Sequence, residues 1–584
     1  MKQNLGLNTN LRSCFSGGFS LRLGLLATGF LFCSAFSVVT LALPTNDELK
    51  IGITQEFESL NPMIGTMAAT LYMSNLTVRS MVILTPDGKW VPQLAKSIPS
   101  LENGAAKLVD VDGKKGMTAV WELIDAKWGD GEKITCNDIK FTWQAGLNPM
   151  ISVGSRDVYE NIKSITWDAK TPAKCLVTYK LAKWDFYRDM PSPMPAHIEQ
   201  KIMDKFGAQK EGYDQNSEYN KNPKNPGLYN GPYIVSELKL GSHVSFTANP
   251  QFYGKQPAIK KVIFKLITDT GTLEANLRSG TIDMVSPLGF AFDQALGFEK
   301  KIETDHLPYQ ILFKPGVTYE HIDFNLENPI LKDVKVRQAM ISALNRDEMI
   351  KAIFSGKQKV ALHNFAPIDP WFTDDGKKIT VYNFSRREAG KLLDEAGWKM
   401  GPDKFRYKDG KKFSMTFMTT AGNKTRETVQ ALLQSQWKSV GLDIIIKNEP
   451  ARVFFGETMK KRKFDGLAMY AWQSAPESTP KTTIHSNAIP TEKNSWSGQN
   501  EMAWANPKVD ALLNQLDVEF KADQRKKIAQ DLLKEYTADA PVIPLYYRSE
   551  IAVIPKNMKG YRLAGHLYYE TNEIENWSLD SKLK

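Results

Sequence analysis

Cysteine, histidine and long apolar runs are all scarce in this chain of 584 residues, and each scarcity excludes something. Of four cysteines, Cys14 and Cys33 fall in the first forty residues, leaving only Cys136 and Cys175 beyond them. Two cysteines with no C-x-x-C and no histidine cluster argue against a metal site. The seven histidines are scattered singly, with no H-E-x-x-H, and no G-x-S-x-G marks a nucleophile elbow. Ser236-Glu237-Leu238-Lys239 fits S-x-x-K, but it lies in a strand pattern and lacks an S-D-N or K-T-G partner. Phe354-Ser355-Gly356-Lys357 lacks the second glycine of a phosphate loop. The expectation is a chain without catalysis, cofactor or metal.

Charge of one sign is not concentrated either. The 75 basic and 65 acidic residues are spread along the chain, and Lys460-Lys461-Arg462-Lys463 reads as a solvated helix end rather than a nucleic-acid surface. Low-complexity and repeated segments are missing, and after Val39 no run is apolar for long enough to span a membrane.

What is present begins with an address. Lys2, Arg12 and Arg22 precede an apolar run from Leu23 to Val39, and no acid appears before Asp47. This is the layout of a secretory signal, with Thr40-Leu41-Ala42 supplying small residues for cleavage after Ala42. Bulky Phe32 directly before Cys33 argues against a lipoprotein anchor. Removing residues 1–42 leaves 542 residues, enough for two or three domains, with a net charge of about +7. In an oxidising compartment Cys136 and Cys175 can form one disulfide.

One stretch carries binding-site composition. Leu467 to Trp472 is an apolar run too short for a helix and bounded by Gly466, which reads as a strand buried on both faces. Ligands of open α/β sheets gather beyond the carboxyl ends of such strands. Trp472, Gln473, Ser474 and Glu477 stand there, with Asn494, Trp496 and Gln499 farther along the same polar, proline-broken loop. A core tryptophan under an ordinary surface loop is the competing reading.

The rest of the chain alternates strands and helices. Lys50–Ile53 reads as a strand, Met67–Val78 as a helix and Pro86-Asp87-Gly88 as a turn between strands. Residues 101–117 are charged and glycine-rich, an exposed excursion. Thr135 and Asp138 start a helix, and Asp214–Asn230 reads as a surface loop. Phe413–Thr419, Thr425–Val440 and Leu442–Lys447 form a βαβ unit, and a helix follows around Phe454–Lys461. Asp333 can cap a helix, as can Ser385 with Glu388, and Gly397 can close the latter.

Several short motifs follow one another in a telling order. They are Trp128-Gly129-Asp130-Gly131, Pro195-Ala196-His197, Gly231-Pro232-Tyr233, Asn249-Pro250-Gln251-Phe252-Tyr253-Gly254, Leu277-Arg278-Ser279-Gly280-Thr281-Ile282-Asp283, Asp333-Val334-Lys335-Val336-Arg337-Gln338-Ala339 and Leu392-Leu393-Asp394-Glu395-Ala396-Gly397-Trp398. Together they resemble the extracytoplasmic peptide-binding proteins of ABC importers, solute-binding family 5, across nearly the whole mature chain.

The resemblance implies an α/β protein of the type II periplasmic-binding-protein fold, with two lobes and three domains. Domain I would comprise 43–83, 225–308 and 541–584, domain II 84–224, and domain III, the ligand-binding lobe, 309–540. It implies a periplasmic, monomeric receptor that captures an oligopeptide or related solute and delivers it to permease subunits in the inner membrane. A receptor for a metal chelate, sugar or opine on the same scaffold is the alternative, and an exported serine hydrolase a more distant one. Many peptide binders of the family carry Trp-x-x-Asp, whose aspartate pairs with the peptide α-ammonium. Counting from Trp472, that position is Ala475. Glu477, two residues on, is the expected substitute carboxylate.

Overall fold

The computed structural model describes residues 43–582 apart from 55–58, 65–67, 154–155, 451–452 and 495–497. The expected signal peptide and Trp496 lie outside the described residues. The first strand, β1 (Glu48–Ile53), buries Leu49, Ile51 and Ile53, and the helix after it is short, Ala68–Ser74. Pro86-Asp87-Gly88 joins two short paired strands, Val82–Leu84 and Trp90–Pro92.

Residues 101–117 are not an excursion. They enter a hairpin of β2 (Ala106–Val111) and β3 (Lys114–Glu122), turned by Asp112-Gly113 with positive φ at both residues. Asp-Gly is the favoured pair for such a turn, and the charged side chains that suggested a loop stand on the hairpin's solvent side. Thr135 and Asp138 form a reciprocal cap on α1 (Cys136–Leu147). With β4 (Ile162–Thr166) and β5 (Lys174–Tyr179) the hairpin makes a four-stranded sheet in the order β2-β3-β5-β4. Cys136 at the start of α1 is disulfide-bonded to Cys175 on β5, with their Cα atoms 5.6 Å apart.

Asp214–Asn230 also differs from its reading as a loop. Helical turns at Gly212–Asn216, Glu218–Lys221 and Pro226–Leu228 hold it down, because Tyr213, Tyr219 and Tyr229 are buried in the core beneath.

A second, eleven-stranded sheet organises the rest. In chain order its further members are β6 (Tyr233–Lys239), β7 (His243–Ala248), β8 (Lys261–Leu266), β9 (Met284–Val285), β10 (Tyr309–Phe324) and β11 (Ser414–Met418). After α2 (Lys424–Lys438) come β12 (Asp443–Ile446), β13 (Leu467–Gln473), the long helix α3 (Ala522–Asp539) and β14 (Val542–Pro555). The order is β12-β11-β13-β10-β14-β9-β1-β8-β7-β6, and the two-residue strand Lys359–Val360 also pairs with β14. β11, α2 and β12 are the expected parallel βαβ unit. Asp333 accepts from the Lys335 N–H and Ser385 from the Glu388 N–H at their helix starts, and Gly397 is left-handed at φ 88°. The helix expected at Phe454–Lys461 is a π-helical stretch, Phe454–Met459.

β10 and β14 are long antiparallel partners that run from one core into another. Ile322 and Phe324 on β10, with Ile543 and Leu545 on β14, belong to the cluster around α2. Tyr309, Ile551 and Val553 belong to a different cluster, with Leu277 and Phe298. The register shifts between Pro315 and Tyr319. Pro315 has no N–H for the ladder, and a Cβ on Gly316 would lie 3.1 Å from two backbone oxygens, those of Arg548 and Gly565. The boundaries expected at 308/309 and 540/541 sit at strand starts, whereas the clusters change over inside the strands.

Candidate ligand-binding site

β13 frames the site. Gly466 leads into it where a Cβ would lie 2.8 Å from both the Thr416 oxygen and the Met415 Cβ, so only glycine lets β13 approach β11. Leu467 to Tyr470 are buried, Ala471 and Trp472 half-buried, and Gln473 exposed. The strand is therefore covered on both faces for four residues and then emerges. Trp472 meets the Tyr470 ring edge-on at 5.5 Å, and it pairs with Tyr319 on β10 as Gln473 pairs with Thr318. The chain then turns through Ala475-Pro476-Glu477-Ser478, closed by the Ser478 N–H on the Ala475 oxygen at 3.1 Å. Proline second and a positive φ of 56° at Glu477 third match a type II turn.

Three cavities lie around this strand end. The first, of about 210 Å³, is lined by Tyr319, His321, Phe365, Trp472, Gln473 and Gln499 among others. The His321 ring stacks on Tyr319 at 5.0 Å, and its Nε2 lies 3.2 Å from Asp323 Oδ1. Behind it Tyr470 Oη donates to Asp323 Oδ2 at 2.6 Å and lies 3.4 Å from Glu501 Oε2. Burial, reinforced by the Asp323 charge, pushes Glu501 up to about 9. It is therefore protonated at neutral pH and can donate to Tyr470.

The second cavity, of about 380 Å³, shares Ser474 with the first and has Ala475 and Pro476 on one side. Asn75, Ser80, Ser192 and Tyr568 face them from elements distant in sequence. His566 also lines it, and its Nε2 donates to the Thr85 carbonyl oxygen at 2.9 Å. Burial pushes its pKa down to about 4. The third cavity, of about 300 Å³, lies where β10 meets β14 and is lined by Thr318, Glu320, Arg426, Arg548 and Glu550 among others.

Trp472, Gln473 and Gln499 thus line the first cavity and Ser474 lines both first and second. Glu477, expected to offer its carboxylate to a ligand, lines none of the three. Its carboxylate lies 3.6 Å from Arg188 Nη2 and 3.9 Å from Arg525 Nη2, and its N–H donates to Asp369 Oδ2 at 2.9 Å. The two guanidinium groups draw it away from the cavities. Asn494 is the last residue of the short turn Glu492–Asn494.

Comparison with known proteins fits this architecture. The family model described as bacterial extracellular solute-binding proteins, family 5 Middle, matches residues 89–493. The chain belongs to this family. This family 5 protein is 27% identical over 492 residues to the oligopeptide-binding protein AppA of Bacillus subtilis, covering 83% of each chain. Among solved structures it is similar to an oligopeptide-binding protein from Thermus thermophilus complexed with a pentapeptide, at 26% identity and a TM-score of 0.65. That likeness covers 92% of this chain and 97% of the other. It is similar also to NikZ from Campylobacter jejuni in complex with Ni(L-His), at 25% identity and a TM-score of 0.67, covering 92% and 100%.

In this family 5 protein several lining residues escape a reading of the sequence: Tyr319, Glu320 and His321 on β10, Arg426, Arg548 and Tyr568. One signal was available. Glu320, His321 and Asp323 put three ionisable groups inside the buried end of a strand, Tyr319–Phe324, and such groups persist only with partners or a function.

Proposed function

We propose that the protein is an exported receptor of an ABC importer that holds an extended solute, an oligopeptide or a related molecule, between its lobes. One observation carries this reading: two cavities share Ser474 just beyond the exposed end of β13, and segments from distant parts of the chain line them. Aromatic walls at Tyr319, Phe365 and Trp472 can contact varied side chains without selecting one, while hydroxyl and amide groups meet polar atoms. The expected signal peptide would deliver the chain to the periplasm as a monomer, and permease subunits in the inner membrane would receive the solute. The lobes would move about β10 and β14, with domains I, II and III as divided above except that the hinge falls within the two strands.

Ala475 supports a second reading, a non-peptide solute such as a metal chelate, sugar or opine, because it lines the second cavity where a carboxylate could have stood. Native mass spectrometry of the signal-free protein from an exporting host, followed by denaturation, separates the two. A ladder of short peptide masses is expected; one discrete non-peptide mass would replace the first reading with the second. Trp472→Ala should weaken binding of the released solute about tenfold or more, read by calorimetry, while leaving the fold intact. Unchanged affinity would move the site away from β13.

A further inference from the structure

The third cavity holds an arrangement that is electrically unfinished. Glu320 on β10 is 1% exposed. Its Oε1 receives Arg426 Nε and Nη2 at 3.3 and 3.2 Å, and Arg548 Nε at 2.9 Å together with Arg548 Nη2. Its Oε2 is equally buried and has no hydrogen-bond partner among the described residues. Two cations on one oxygen and none on the other is a costly distribution for a buried carboxylate. Arg426 also donates to Thr420 Oγ1 at 3.1 Å, which occupies it further. Arg548 is different. Its side chain is 41% exposed and lines the cavity, and no described residue accepts from its Nη1. The opposite wall is apolar, with Phe290, Phe292 and Phe354.

The second cavity provides the contrast. Among the described residues its lining carries no acid and no Lys or Arg, and His566 is held neutral by burial. An α-ammonium group would find no counter-charge there. Both cavities flank one point: Thr318, which lines the third, pairs with Gln473, and Ser474 beyond it lines the second.

We infer that the protein anchors its ligand by a carboxylate and not by an ammonium group. The ligand's terminal carboxylate pairs with Arg548 in the cavity between β10 and β14, its last N–H donates to Glu320 Oε2, and its last side chain packs against the phenylalanines. Glu320 and Arg426 neutralise one another, and Glu550, the other acid in the lining, is pushed up to about 7 by burial, so Arg548 keeps charge to offer the incoming carboxylate. The inference rests on the proposed peptide receptor and names which end of the peptide that site reads.

The test uses residues 43–584 and a mixed pentapeptide library ending in phenylalanine, in three forms: free ends, acetylated amino end and amidated carboxyl end. Binding is read by competition against the free library. Acetylation should change the apparent Kd by less than about threefold, whereas amidation should weaken it about ten- to a hundredfold, the size of a charge-assisted hydrogen bond. In Arg548→Gln the free and amidated libraries should bind alike, with an unchanged circular dichroism spectrum. Equal binding of free and amidated libraries to the unmutated protein overturns the inference and leaves the receptor reading standing. A loss on acetylation instead of amidation overturns it too. If no form binds, the peptide reading and this inference fall together. Because the comparison of end groups needs no mutation, a folding defect in the Arg548 variant does not blunt it.

Discussion

Glu477 occupies a backbone position at φ 56° that suits glycine better than glutamate, and its carboxylate accounts for its being there. Arg188 belongs to the segment that carries Trp184 and Tyr187, and its guanidinium lies over the rings of Trp90, Trp184 and Tyr187. Arg525 on α3 also lies over the Trp184 ring, 3.8 Å from its centroid. Glu477 therefore joins the loop after β13 to a segment nearly three hundred residues earlier, with side-chain exposures of 16%, 11% and 9% for Glu477, Arg188 and Arg525. Removing it leaves two largely buried guanidinium groups without their counter-charge. At separations of 3.6 and 3.9 Å, longer than a direct hydrogen bond, the loss should be about 2 kcal/mol and less than that of a fully buried contact pair. Glu477→Gln should accordingly lower the urea unfolding midpoint, while the affinity measured at the Trp472 cavity changes by less than about threefold. A ligand-pairing carboxylate would give the reverse pattern, with stability kept and affinity lost.

Among the elements, the disulfide ties a helix to a sheet. It joins the first residue of α1 to β5 across a sequence separation of 39, so the unfolded chain is restrained by a sizeable loop. Replacing both cysteines by serine should cost about 3–4 kcal/mol in urea unfolding, and reductant should reproduce that loss in the unmutated protein but not in the variant. If reductant has no effect on the oxidised protein's midpoint, the cross-link adds nothing. This pairing illustrates what sequence could and could not tell. Cys136 and Cys175 were readable as candidates because only two cysteines lie beyond the first forty residues, and the caps at Thr135, Asp333 and Ser385 were readable because they act within one turn. The run Leu467–Trp472 was readable as a strand through its length and its glycine. The third cavity was not, since Glu320, Arg426 and Arg548 lie 106 to 228 residues apart and meet only when β10, α2 and β14 pack. Residues 101–117 failed for the opposite reason: a local Asp-Gly turn was present, but the charges beside it outweighed it in the reading. Long-range partners also explain Glu477, whose role in pinning the loop depends on Arg188 and Arg525 and cannot be inferred from its neighbours.

At the scale of the whole molecule, one sheet spans the two cores joined by β10 and β14, and the polar groups buried in it make stability depend on pH. Burial pushes Glu199, Asp369 and Glu550 up to about 7, and Glu501 to about 9, from unfolded values near those of ordinary carboxyls. The folded state then binds these protons more tightly than the unfolded chain. Each such group stabilises fully below its unfolded pKa, and that contribution is lost as pH rises through the folded value. His363 and His566 work against them at the acid end. Burial lowers both to about 4, so the unfolded chain takes up protons first, and stability falls as pH drops through the window from 6.5 to 4. Between about pH 4.5 and 6.5 the two trends oppose one another, four carboxyls against two histidines, and above 6.5 only the loss from the carboxyls remains. Above pH 7.5 the other three carboxyls have largely ionised, leaving Glu501 as the dominant titrating group beside Asp323 and Tyr470. Urea midpoints should therefore fall steadily from pH 7.5 to 9, and Glu501→Gln, which keeps a neutral donor for Tyr470, should flatten that limb. A variant as pH-sensitive as the parent over that interval would mean that Glu501 is already ionised at neutral pH. The chain of His321, Asp323, Tyr470 and Glu501 behind the tryptophan cavity would then carry one more negative charge than its burial suggests, and the cavity would favour a cationic side chain.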